Sequence, residues 1–265
     1  MHFKNKIVWI TGASSGIGRE IAVQLAAENA TLILTSSNAE ILNELSKNLS
    51  QQTKCYVLPF DLLNVEKIPE LVTNSLKFEG KIDYVIQSAG ISQRALATET
   101  LLDVNRKLME LNFFAPVAIT QAILPHFNKI NSGNITVISS IAGLIGFPQR
   151  SGYAASKHAL KGYFETLQTE LYHTNITISI IYPGRIDTNI SKNAITANGS
   201  QYGISDENNK VGLSATVCAK KIIDAIKENK KSLIIAKSER LLLWIWWFLP
   251  AVYYKLANAK GLKKN

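Results

Sequence analysis

The sequence predicts an α/β chain folded around a doubly wound parallel sheet of about seven strands, with helices on both faces. Three observations carry that expectation: short β-branched apolar runs recur along the chain, amphipathic stretches separate most of them, and a glycine-rich turn directly follows the first run. Together they describe a Rossmann-type sheet, in which ligands gather at the C-terminal ends of the strands.

The first strand is expected at residues 7–10 and runs into Thr11-Gly12-Ala13-Ser14-Ser15-Gly16-Ile17-Gly18. Glycine suits such a turn because the chain reverses tightly, and a side chain at the closest approach would hold a pyrophosphate away from the following helix N-terminus. Free N–H groups and the helix dipole stabilise an anion there. Ile17, Ile21 and Leu25 then share one helix face. Further strands are expected at residues 31–35, 55–60, 82–87, 134–139, 176–182 and 233–236. The run Ile176-Thr177-Ile178-Ser179-Ile180-Ile181 is rich in β-branched residues, as fits a strand covered on both faces. The polar stretch 188–212, with Asn193, Asn198, Asn208 and Asn209, is expected to be the longest loop, a lid or a disordered segment. Residues 1–238 read as one dinucleotide-binding and catalytic domain, and residues 239–265 as an aromatic-rich C-terminal extension.

With 265 residues and 46% hydrophobic content, the chain can bury one substantial core. The N-terminus enters the first strand without a charged-then-apolar leader, so a cytoplasmic protein is expected. Cys55 and Cys218 lie far apart, and His2, His126, His158 and His173 form no ligand cluster; neither disulfides nor a metal is expected. A net charge of +9 suits nucleic acid, a membrane surface or a phosphorylated cofactor alike. No nucleic-acid motif accompanies it, so nucleic acid is not an expected partner.

Tyr153-Ala154-Ala155-Ser156-Lys157 sets a phenol and an ammonium at i and i+4, on one face of a helix. A neighbouring cation favours the phenolate, so Lys157 is expected to lower the pKa of Tyr153 toward a range useful for proton transfer to a carbinol oxygen. Ser139-Ser140 ends the strand expected just upstream and presents hydroxyls at the same sheet edge, where Ser140 could bind a reacting carbonyl. Asn112 lies in the apolar run Glu110-Leu111-Asn112-Phe113-Phe114, where a buried amide needs a water or backbone partner.

In these residues, taken with the glycine motif, the chain resembles the short-chain dehydrogenases/reductases, whose Thr-Gly-x-x-x-Gly-x-Gly turn is matched from Thr11 to Gly18. Asn112, Ser140, Tyr153 and Lys157 stand at the relative spacings of that family's catalytic tetrad. Pro183-Gly184-Arg185-Ile186-Asp187-Thr188 is similar to its Pro-Gly turn, and Asp61-Leu62 follows the third strand. The resemblance implies that Tyr153 is the general acid/base, that Lys157 holds the nicotinamide ribose, that Ser140 orients the carbonyl, and that Asn112 holds a relay water. It also implies that Asp61 contacts the adenine and that Ile186 and Thr188 meet the nicotinamide carboxamide. Gly12, Ser14, Ser15, Gly16, Ile17, Gly18, Leu62, Ala89, Gly90, Pro183 and Gly184 complete the implied cofactor contacts. Where the family usually carries Asn-Asn-Ala-Gly, this chain has Gln87-Ser88-Ala89-Gly90; Gln87 and Ser88 are expected to substitute for the asparagines. The second strand ends Leu34-Thr35-Ser36-Ser37-Asn38, without the acid that would bind a ribose 2′-hydroxyl, so NADP(H) is favoured over NAD(H). Ser36, Ser37, Asn38 and Arg19 are the expected 2′-phosphate contacts.

Residues 241–254, Leu-Leu-Leu-Trp-Ile-Trp-Trp-Phe-Leu-Pro-Ala-Val-Tyr-Tyr, are too short to span a bilayer comfortably and are broken by Pro250. Tryptophan, tyrosine and flanking cations suit an interfacial contact, with Lys237, Arg240, Lys255 and Lys260 meeting anionic lipids ahead of Lys263 and Lys264. Packing against a partner subunit or over the substrate pocket is the other reading, and both can hold together. The expected function is an NADP(H)-dependent oxidoreductase acting on a small apolar carbonyl or secondary alcohol, lipid- or steroid-like, in a pocket built from residues 141–150 and 188–212 with Leu144, Ile145, Phe147 and Pro148 as apolar wall. The alternatives are a 3-oxoacyl-thioester reductase and a membrane-bound dinucleotide-binding scaffold without turnover. The resemblance further implies a homodimer or homotetramer.

Overall fold

The computed structural model describes residues 2–204 and 212–261, with side chains described to residue 258. Seven strands form one parallel sheet: β1 (Ile7–Thr11), β2 (Thr31–Thr35), β3 (Cys55–Val57), β4 (Tyr84–Gln87), β5 (Gly133–Ile138), β6 (Ile176–Pro183) and β9 (Ser232–Ile235). Their order is β3-β2-β1-β4-β5-β6-β9, so the winding reverses between β1 and β4. A crevice opens at such a reversal because the flanking helices leave in opposite directions. Every residue of β1 and β5 is buried; β1 is accordingly almost wholly apolar, and the polar Asn134 and Thr136 of β5 are hydrogen-bonded to each other inside.

Two apolar layers sandwich the sheet. On one face α1 (Gly16–Ala27), α2 (Ala39–Leu49) and α7 (Ala215–Lys227) bury Ile21, Leu25, Leu42, Leu45 and Ile222. On the other, α3 (Ile68–Lys77), α5 (Ala115–Ile130) and α6 (Ser151–Glu170) bury Leu71, Ile123, Phe127, Leu160 and Phe164. The short α4 (Leu102–Met109) continues into α5 through a π-helical turn at Glu110–Phe114, and this turn carries Asn112. Such a widened turn changes which face each side chain takes, so Asn112 points inward. The continuous stretch Leu102–Ile130 is long and apolar enough to cross a membrane by composition alone, yet its apolar face packs on the sheet.

The expected strands differ from the observed ones mainly at their ends. The third stops at Val57, although the amides of Leu58 and Phe60 still reach Leu34 O and Ser36 O at 2.9 Å, and Pro59 between them sets its missing N–H on the open edge of the sheet. The pair β7 (Ile186–Asp187) and β8 (Leu213–Ser214) had no sequence signal, being two residues each. The described part of the expected loop is fastened down rather than free: Ile195 N donates to Ser92 O at 3.0 Å, Arg94 N donates to Ile195 O at 2.9 Å, and Ser191 and Ala194 are buried. Residues 205–211, including Asn208 and Asn209, lie outside the described residues, as do Lys263, Lys264 and the side chain of Lys260.

The C-terminal residues form two helices, α8 (Glu239–Phe248) and α9 (Pro250–Gly261), broken at Leu249 and Pro250. Their inner side packs Tyr253, Leu242 and Ile245 on Ile141, Ile145 and Ile234, and the Tyr253 hydroxyl donates to Gly146 O. Trp244, Trp247, Phe248, Leu249 and Tyr254 on the other side are all more than half exposed.

Candidate active site

A cleft of about 570 Å³ runs along the C-terminal ends of the strands, a volume that accommodates a cofactor-sized ligand. One end is floored by the glycine turn. Gly12 has φ +69°, and a Cβ there would stand 2.6 Å from Ala89 N; Gly16 has φ +54°. Both positions therefore need glycine, and Gly18 lets α1 lie directly on the Gly12 carbonyl rather than lining the cleft itself. Ser15 makes no side-chain cap to α1, and the first turn of α1 holds no acid. Its first amides thus face the cleft beside Ser14, Ser15, Gly16 and Ile17, which is the chemistry a pyrophosphate needs. This cradle fits a dinucleotide.

Ser36, Ser37, Asp61 and Leu62 line the same end, with Asp61 at the rim accepting the Leu63 amide at 3.0 Å. Ser88, Ala89 and Gly90 follow β4. A Cβ on Gly90 would come within 3.0 Å of Asn112 Oδ1 and 3.5 Å of Lys157 Nζ, so this position needs a residue without a side chain to pack against those two groups. Pro183, Gly184, Ile186 and Thr188 line the cleft from the strand end after β6, with Thr188 close over the glycine turn, where a Cβ on Gly16 would stand 3.2 Å from its Cγ2.

Tyr153 sits in the first turn of α6, and Lys157 lies one turn later; they are 5% and 4% exposed. Lys157 Nζ donates to Ile138 O at 2.9 Å and stands 5.9 Å from the Tyr153 ring centroid. Ser140 leaves β5 next to this pair, its Oγ accepting the Ala142 amide at 3.1 Å and donating to Pro183 O at 3.4 Å, with the Tyr153 side chain beside it. Asn112 is fully buried: Oδ1 accepts Ile91 N at 2.9 Å, while Nδ2 donates to Ile91 O at 3.0 Å and Ser156 Oγ at 3.0 Å. The backbone thus supplies the partner that a buried amide requires.

Burial pushes the Tyr153 phenol above its ordinary range, and Ser140, Arg150 and Arg94 pull it back, in that order. Burial lowers the Lys157 ammonium from 10.5 to about 8. The expected acidification of the phenol by Lys157 therefore gives way to a different arrangement: Lys157 is turned to a backbone carbonyl, and the cations acting on Tyr153 are the two arginines. A phenol so placed, with a hydroxyl beside it and an apolar wall ahead, can pass a proton to or from a carbonyl oxygen.

The model of the short chain dehydrogenase family matches residues 6–199. Over 270 residues the chain is 38% identical to mouse "Dehydrogenase/reductase SDR family member 7B", covering 100% of this chain and 84% of that protein. The chain belongs to the short-chain dehydrogenase/reductase family. As a short-chain dehydrogenase/reductase it is an oxidoreductase acting on CH–OH and C=O groups. A Drosophila melanogaster relative, "Dehydrogenase/reductase SDR family protein 7-like", is 35% identical over 97% of this chain and 81% of its own. A short-chain dehydrogenase from Streptomyces avermitilis superposes with TM-score 0.79 at 26% identity, covering 96% of both chains. An NAD complex from Burkholderia phymatum shares the fold at TM-score 0.82 and 21% identity, covering 95% of this chain and 96% of its own.

Within this short-chain dehydrogenase/reductase two of the expected 2′-phosphate contacts are not brought to the cleft. Asn38 caps α2, its Oδ1 accepting Ile41 N at 2.9 Å, and Arg19 is exposed on α1 outside the lining. An asparagine before a helix is well suited to the cap, and that use consumes its acceptor. Gln87 also departs from expectation: it turns under the sheet and donates to Thr120 Oγ1 at 2.9 Å, and its Oε1 has no partner among the described residues. Of the two substitutes for asparagine, only Ser88 faces the cleft. Phe147 and Pro148 form apolar wall as expected, whereas Leu144 and Ile145 pack into the interior.

Gln93 and Arg94 had escaped the sequence reading, whereas Arg150 ends the expected 141–150 wall and Leu242 and Tyr253 fall in the stretch 241–254 expected over the substrate pocket. Gln93 is fully buried, and its Oε1 accepts Gly152 N at 2.8 Å and Tyr153 N at 3.2 Å, capping the helix that carries the phenol. Arg94 and Arg150 line the cleft near Tyr153. Leu242, Tyr253 and Leu256 of the C-terminal helices close the substrate end.

Proposed function

We propose that the protein is an NADP(H)-dependent oxidoreductase that interconverts a carbonyl and a secondary alcohol on an apolar, lipid- or steroid-like substrate. The observation that carries this reading is the buried Tyr153, beside Ser140 and one helical turn from Lys157, in a cleft whose far end is an uncapped, acid-free helix N-terminus. A bound nicotinamide supplies or accepts the hydride. Tyr153 then moves the proton at the substrate oxygen, and Ser140 orients that oxygen. Lys157 would hold the ribose hydroxyls, Asp61 would meet the adenine, and Ile186 and Thr188 would meet the carboxamide, while the buried Asn112 amide holds the Ile91 backbone and Ser156 rather than a water. Support for NADP(H) is the lack of an acid after β2, with Ser36 and Ser37 on the cleft wall. Phe147, Pro148, Leu242 and Leu256 make the substrate end apolar.

The exposed aromatic side of α8 and α9, with Lys237, Arg240 and Lys255 exposed beside it, supports peripheral contact with an anionic membrane surface facing the cytoplasm. The protein is a homodimer or homotetramer paired through α4, α5 and α6. The decisive experiment follows NADPH absorbance with a panel of ketones. Turnover with at least one apolar ketone is expected, and Tyr153→Phe should remove at least about a hundredfold of it while NADPH still binds. Equal turnover in that variant refutes the assignment. Sedimentation with phosphatidylserine vesicles tests the surface: wild type should pellet with them, and Trp244→Ser/Trp247→Ser should stay in the supernatant.

A further inference from the structure

Glu239 opens α8, yet its carboxylate is turned into the cleft and is only 8% exposed. Its Oε1 accepts the Arg185 amide at 3.1 Å, with the Arg185 Nε 3.9 Å away, and its Oε2 accepts the Lys237 amide at 3.2 Å. The neighbouring Gly184 is packed so closely that a Cβ there would stand 3.3 Å from Glu239 Cδ and 3.0 Å from Ala236 Cβ. Its amide donates to Ile235 O at 2.8 Å. The turn after β6 is therefore gripped from the C-terminal side by one carboxylate and the edge strand.

Burying an anion is costly unless it is paired and hydrogen-bonded, and here backbone amides provide much of that compensation. Charge-assisted bonds to main-chain N–H groups are short, strong and directional, so they fix backbone rather than merely neutralise a side chain. The amides they fix are those of Arg185 and Lys237, and Arg185 with its neighbour Gly184 borders the cleft that also holds Tyr153 and Lys157.

We propose that Glu239 is a positioning residue: it holds the 184–186 turn at the nicotinamide end of the cleft and ties that turn to the C-terminal helices. This rests on the dinucleotide reading above, and binding of NADPH and of its fragment 2′,5′-ADP to wild type is therefore measured first, with NADH and 5′-AMP in parallel. If wild type binds no dinucleotide, that reading falls and takes this one with it; the outcomes below concern Glu239 alone. In ligand-free Glu239→Ala, hydrogen exchange at the Arg185 amide should quicken about tenfold, and dinucleotide affinity should drop about tenfold, the loss expected for one charge-assisted bond. The adenine fragment, which reaches only the glycine turn and the end of β2, should bind as to wild type. Glu239→Gln keeps a carbonyl for the Arg185 amide and should recover most of both losses. Equal weakening of dinucleotide and fragment would reduce Glu239 to a general structural role and overturn the proposal. So would unchanged exchange at Arg185, or a glutamine variant indistinguishable from alanine.

Discussion

Replacing Lys157 by methionine should stabilise the ligand-free protein at neutral pH, although it removes a side chain central to the cleft. Burial holds the ammonium at about 8 against an ordinary 10.5. Between those values the unfolded chain binds a proton that the folded chain does not, so stability rises with pH across the window and is lowest below it. At about 1.4 kcal/mol for each pH unit of that window, keeping the charged lysine buried costs about 3 kcal/mol at pH 7. Methionine matches its length without the charge but forfeits the bond to Ile138 O, worth about 1–2 kcal/mol. The net gain at pH 7 is then about 1–2 kcal/mol, or roughly 2–6 °C in Tm for a chain of this size. At pH 9.5 only about 1 kcal/mol of the burial cost remains, so the advantage shrinks by about 2 kcal/mol and all but vanishes. Urea unfolding of both proteins at pH 7 and pH 9.5 measures this directly. The lost hydrogen bond is common to both conditions, so the change in the difference isolates the ionisation. An offset that stays the same at the two pH values refutes a strained lysine.

Gly12→Ala should weaken dinucleotide binding at least tenfold and lower Tm, because the new methyl meets Ala89 N at 2.6 Å and φ is +69°; the strain is on the order of 1–3 kcal/mol, and titration with thermal unfolding reads both. Gln93→Ala leaves the amides of Gly152 and Tyr153 without their acceptor and should cost about 1–2 kcal/mol in urea unfolding. Turnover should fall with it, since the phenol sits in that first turn, whereas Gln93→Glu should restore the cap and part of the rate.

The sheet was legible wherever burial on both faces demanded unbroken β-branched sequence, as in β1, β2 and β6. It was blurred at strand ends, as after Val57, where β3 stops although Leu58 and Phe60 keep bonding the neighbouring strand. The glycine turn, Ser140, Tyr153 and Lys157 were readable because they lie close along the chain at helical or strand-end spacing. Gln93, Arg94 and Glu239 were not, since each acts on a segment distant in sequence, and a glutamine after a strand carries no local sign of the helix it caps. Asn38 misled for a chemical reason: a side chain able to bind phosphate is equally able to start a helix, and the helix took it.

The C-terminal helices have an inward side that belongs to the cleft and an outward side that repels water. Anyone trimming residues 239–261 to improve behaviour in solution would also cut away Glu239, Leu242, Tyr253 and Leu256, unroofing the chamber. Handling trouble should instead be treated by detergent or by recolouring only the outward tryptophans, leaving the lining untouched.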